Sequence, residues 1–128
     1  MRIFAVRWFV RFARKESIGD KRLCDAVERA QRGVIDAQLG AGLIKQRVAR
    51  SGSGRSGGYR VLIALRTRWR AVFLYGFAKN ERENLDDEEL ADLKTLAARF
   101  MSLTEVEMKA AVSAGELKEI FCDGEEDA

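Results

Sequence analysis

Lys45, Arg47, Arg60, Lys79 and Glu81 are the side chains in this sequence whose types and spacing could do chemistry, and that chemistry would be on phosphate. Breaking a phosphodiester by attack of a neighbouring hydroxyl needs a group to take the hydroxyl proton, cations to hold the five-coordinate phosphate, and a donor for the leaving oxygen. Arg47 and Arg60 suit the clamping role, because a guanidinium presents paired donors and stays protonated. Lys45, Lys79 and Glu81 are then left to share the proton transfers. The chain has no histidine, which removes Ser-His-Asp and Cys-His nucleophile pairs and every His-ligated metal. Its two cysteines, Cys24 and Cys122, have no CxxC partner, so neither a zinc site nor a disulfide is expected, and both are read as reduced thiols of a cytoplasmic protein. No metal or cofactor is expected.

These residues belong to a strongly basic stretch. From Lys45 to Arg70 there are eight basic side chains, seven of them Arg, and no acid, the pattern of a surface that meets a polyanion. Arg50, Arg55 and Arg70 would extend the contacts of the five residues above, with Asn80 as a polar contact and Tyr59 as a ring for stacking. The formal charge of +3 conceals a bipolar chain. Residues 1–82 carry nineteen Lys or Arg against six Asp or Glu, a net of +13, whereas residues 83–128 carry four against fourteen, a net of −10. The rival reading is that the basic half merely pairs with the acidic half.

The elements that must position these side chains can be read from periodicity and caps. With 128 residues, 47% of them apolar, the chain can build one core and not two. No apolar run is long enough to cross a bilayer, and arginines interrupt the start every few residues, so neither membrane insertion nor export is expected. Ile3, Phe4 and Val6 read as a strand leading into a helical turn through Trp8, Phe9 and Phe12. Asp20 would cap a helix over about 21–32 with Leu23, Val27 and Ala30 on one face, closed by Gly33. Residues 43–49 alternate as a strand that sends Lys45 and Arg47 to one face. Residues 51–58 form a glycine-rich loop, 59–65 a strand buried on both faces, 66–70 a turn and 71–77 another strand. Asp86 with Glu89 and Thr104 with Glu107 are capping boxes for two helices, the second ended by Gly115. Residues 116–128 form an acidic tail with at most a short extended piece at 117–121. The expected fold is α+β: a compact antiparallel sheet of three to four strands flanked by helices, one domain over 1–115.

Gly52, Gly54 and Gly57 match G-x-G-x-x-G, but a dinucleotide site needs those glycines to run from a strand into a helix, and here they run into another strand. The informative combination is different. Lys45-x-Arg47-Val48, the basic loop with Gly52, Gly54 and Arg55, Gly57-Gly58-Tyr59-Arg60, and Tyr75-Gly76 followed by Lys79-Asn80-Glu81 together resemble the RelE superfamily of toxins, most of all its HigB-like branch. The resemblance covers about residues 4–100. It implies a small, metal-independent mRNA endoribonuclease of a toxin-antitoxin module, working at the ribosome and inhibiting translation. Its partners would be mRNA and a cognate antitoxin, of helix-turn-helix type. The sequence departs from the RelE archetype in having no tyrosine after Tyr75, which leaves the general base open. Two other readings remain: a ParE-like toxin that inhibits a topoisomerase by protein contact, and a nucleic-acid-binding regulator without activity.

Overall fold

The computed structural model describes residues 1–49 and 58–122. In chain order the elements are β1 (Arg2–Val6), α1 (Arg7–Lys15), α2 (Asp20–Gln31), β2 (Ala37–Gly40), β3 (Leu43–Val48), β4 (Tyr59–Arg66), β5 (Arg70–Ala78), α3 (Asp87–Ser102), α4 (Glu105–Ser113) and β6 (Leu117–Ile120). They make an α+β molecule around one six-stranded mixed sheet in the order β2-β3-β4-β5-β1-β6. The sheet is larger than the three to four strands expected. The local runs reveal the β3-β4-β5 meander, but β2, β1 and β6 are short and acquire their meaning only as neighbours of that meander. Nor is the sheet purely antiparallel: β1 lies parallel to β5, with Phe4 opposite Val72 and Ala5 opposite Phe73.

Both faces are covered. One carries α1 and α2 over Phe9, Leu23, Val27, Ile44, Val61 and Phe73; the other carries α3 and α4 over Phe4, Leu62, Val72, Ala97, Phe100 and Met108. Double cover explains why β4 and β5 read as continuous apolar runs rather than alternating ones. Both capping boxes form as the sequence implies, Asp86 with Glu89 and Thr104 with Glu107. Asp20 is instead the first residue of α2, where its charge favours the helix dipole, and Gly19 takes the cap position. Gly33, at φ +88°, closes that helix as expected, with its N–H donating to Ala30 O and that of Val34 to Arg29 O. Fully buried Gln46 then ties β3 to α2. Its Nε2 donates to Ala26 O and Val34 O while its Oε1 accepts from the Asp36 N–H, so no polar atom is left unpaired.

The expectation of free thiols is overturned: Cys24 of α2 and Cys122, just after β6, form a disulfide across 98 positions of sequence. Neither spacing nor composition could announce the bond, because it depends on β6 pairing with β1 at Ile3↔Ile120, which carries the chain end to the α2 side of the sheet. Among the described residues no helix is long and apolar enough to cross a membrane.

Candidate functional site

The Arg47 and Arg60 side chains are brought together by strand register. In the β3-β4 ladder Arg47 lies opposite Arg60 and Lys45 opposite Leu62, so the strand period of two puts all three cations on one face. That face is the one α3 covers further along, over Leu62 and Ala64. Where the apolar cover stops, the cations begin. Arg47 is exposed and Arg60 is only 9% exposed. Burial, and then the neighbouring Arg47, weaken Arg60's hold on its proton, with Asp36 acting in the opposite sense. Among the described residues, no carboxylate lies within salt-bridge distance of either guanidinium. Two cations directly opposed on neighbouring strands repel, and the strain is relieved by an anion between or above them.

Lys45 has a positioned head group. Its Nζ donates to Asn84 Oδ1 at 3.3 Å, which links β3 to the segment between β5 and α3. That segment is held at both ends: the Lys79 N–H donates to Gly58 O, and Arg82 pairs with Glu89 inside the capping box of α3. Lys79, Asn80 and Glu81 are exposed on the turn between them. The fold therefore gathers Lys45, Arg47 and Arg60 on one face and sets the Lys79-Asn80-Glu81 turn beside the start of β4. Asn84, which the sequence reading passed over, is part of the arrangement. Its signal was available, since it follows Lys79-Asn80-Glu81 by only three residues.

Two expected contacts are corrected. Arg70 is 1% exposed; its Nη1 donates to Phe100 O and Leu103 O, its Nη2 pairs with Glu105, and its guanidinium lies 3.8 Å from the Trp69 ring centre. It finishes the C-terminus of α3, where orphan carbonyls attract a cation, and has no surface left for a ligand. Tyr59 is 3% exposed, with its ring against Phe12 and its hydroxyl donating to Glu16 Oε1, so it packs α1 onto the sheet rather than offering a stacking surface. Arg50, Arg55 and the glycine-rich loop lie outside the described residues.

The arrangement defines a class: a small α+β protein with Lys45, Arg47 and Arg60 gathered on one face of its sheet. The sequence profile of the RelE toxin of the RelE/RelB toxin-antitoxin system matches residues 1–120, and the chain belongs to that family. It is thus a toxin of a toxin-antitoxin system, and the family implies a cognate antitoxin as its partner. No curated protein matches it.

Proposed function

We propose that this toxin is a metal-independent mRNA endoribonuclease of the HigB-like branch, acting on ribosome-bound message in the cytoplasm and silenced by a helix-turn-helix antitoxin. The observation that carries the reading is the Arg47-Arg60 pair, two arginines directly opposite on neighbouring strands with no acid within ion-pair distance among the described residues. A phosphodiester seated there receives donors from both, and the desolvated Arg60 gains most as charge grows on the five-coordinate phosphate. Attack by the 2′-OH on the adjacent phosphate then needs a proton acceptor and a donor to the 5′-oxygen. Glu81 as a carboxylate can accept and Lys79 as an ammonium can donate, while Lys45, steadied by Asn84, adds a third cation. The products are a 2′,3′-cyclic phosphate and a free 5′-hydroxyl, and the protons balance between acceptor and donor.

Inducing the chain without its antitoxin is expected to halt translation and leave message cut within coding regions. Mapping RNA 5′ ends after induction tests this. Intact message with accumulating DNA breaks would establish the ParE-like alternative, and unaffected growth with RNA bound but uncut would establish a non-catalytic regulator.

A further inference from the structure

On the side of β5 away from β4, strand pairing stops early. The register of β1 against β5 ends at Ala5↔Phe73, α1 starts at Arg7, and β5 runs on to Ala78 with no strand on that side of its last residues among the described residues. Aromatic rings of α1 occupy that gap. The Trp8 ring stacks on Tyr75 at 4.6 Å between centres and on Phe12 at 5.4 Å, and Phe12 lies so close to Gly76 that a Cβ there would meet its ring at 2.6 Å. The result is a cleft of about 420 Å³, within the size range of small-ligand sites, walled by Trp8, Phe12 and Tyr75 with Arg11, Lys15 and Glu81 around it.

We infer that this cleft is an RNA subsite, in which an unstacked nucleobase lies on the Trp8-Tyr75 rings while its flanking phosphates meet Arg11 and Lys15. The inference rests on the ribonuclease reading above and adds to it a second place where the strand is held. Three observations support it. Trp8 remains 41% exposed although its ring stacks on both Phe12 and Tyr75, so part of an aromatic surface is open to a ligand. Trp8, Arg11 and Lys15 follow one another at i, i+3 and i+7 on one face of a helix that contains no acid. Neither Arg11 nor Lys15 has an ion pair among the described residues. Of the carboxylates in the wall, Glu16 is engaged by the Tyr59 hydroxyl and Glu81 is exposed. The cleft is also continuous with the cationic face: Phe77, in its wall, is the cross-strand neighbour of Arg60, and Glu81 follows Lys79 on the same turn. Basic side chains interleaved with open rings are the chemistry of single-stranded nucleic acid, and they favour it over a peptide, which would use the β5 edge and have no need of the acid-free helix face.

The probe is a 2′-O-methyl RNA hexamer, which has no 2′-OH to attack and so reports binding by the intact protein, read as fluorescence anisotropy. Trp8→Leu, which keeps apolar bulk against Phe12, is expected to weaken binding roughly tenfold. A hexamer with a single abasic position is expected to lose a similar factor on the unaltered protein at one position of the scan, and to lose nothing more there on Trp8→Leu. Arg11→Ser with Lys15→Ser, which leaves the packed rings untouched, is expected to weaken binding and to flatten its salt dependence. Unchanged RNA affinity in folded Trp8→Leu and in the double variant overturns the subsite, as does a Trp8→Leu loss that persists undiminished at every abasic position. Unchanged RNA binding with lost binding of the cognate antitoxin overturns it in favour of a protein partner. Message cleavage by the unaltered protein separates the two levels: cleavage with Trp8-independent binding defeats the subsite alone, whereas no cleavage and no hexamer binding defeats the ribonuclease reading with it.

Discussion

Arg60 and Arg70 come from the same acid-free run and face the same side of the sheet, yet the fold gives them opposite tasks. Arg60 meets another cation across the strands, and Arg70 meets two carbonyls and a carboxylate. Arg60→Ala is expected to lose cleavage on the order of 100-fold or more, equivalent to about 3 kcal/mol, while RNA affinity changes only a few-fold, because its contribution grows with the charge of the transition state. Parallel measurement of cleavage rate and of hexamer binding checks the split, and equal losses in both would refute it. Arg70→Met should behave in the reverse manner. It leaves the Phe100 and Leu103 carbonyls without their donor and is expected to lower stability by roughly 2–3 kcal/mol, read as a shift in urea midpoint, with RNA affinity per folded molecule retained. Sequence spacing puts Arg60 on a buried strand but Arg70 in the turn of residues 66–70, whereas Arg70 is the first residue of β5. It could not show which of them would lie under the α3-α4 junction, since that depends on where a helix some thirty residues later ends.

At the scale of elements, the parts legible in the sequence were those governed by neighbours within a few positions. The two capping boxes, the closing Gly33 and the strands carrying Lys45 and Arg60 all lie where side-chain type and period place them. β6 was legible only as a short extended piece, and its disulfide not at all. Cys24-Cys122 closes a loop of 98 positions and fastens the last strand to α2, so its chain-entropy contribution is near the upper end of what one cross-link supplies. Reduction is expected to lower unfolding stability by about 2–4 kcal/mol, measured by denaturant titration with and without a phosphine reductant. An unchanged midpoint would mean that β6 is held by its pairing with β1 alone. The bond also bears on the proposed cytoplasmic site of action, because such cross-links are rare in reducing compartments.

For the whole molecule, the question raised by the bipolar charge was whether acidic and basic halves cancel one another. They do so only in part. Arg2 pairs with Glu105 and Glu119, Arg70 with Glu105, Arg82 with Glu89 and Arg99 with Glu116, whereas Arg47, Arg60, Arg66, Arg68 and Lys79 have no acid in contact among the described residues. Nor do the free cations make one stripe. β4 runs eight residues from Tyr59 to Arg66, so Arg60 and Arg66 stand about 20 Å apart along it. With about four cations near the Arg47-Arg60 pair and Arg11 and Lys15 at the proposed subsite, log K for 2′-O-methyl RNA is expected to fall against log salt with a slope of roughly −4.2, at about −0.7 per phosphate neutralised, and with a slope of roughly −2.8 in the Arg11→Ser, Lys15→Ser variant. A slope near zero would show that the face binds no polyanion.

The sequence by itself determined the charge asymmetry, the loss of histidine chemistry, the two capping boxes, the closing Gly33 and the face on which Lys45 and Arg47 project. Each of these follows from composition or from interactions within about one helical turn or strand repeat. Tertiary structure alone decided the opposition of Arg47 to Arg60, the burial of Arg70 and Tyr59, the disulfide and the gap beside β5 that Trp8 fills. These depend on which distant segments share a ladder and which helix end covers which strand. That outcome is set by the simultaneous burial of both sheet faces, and no local pattern carries it.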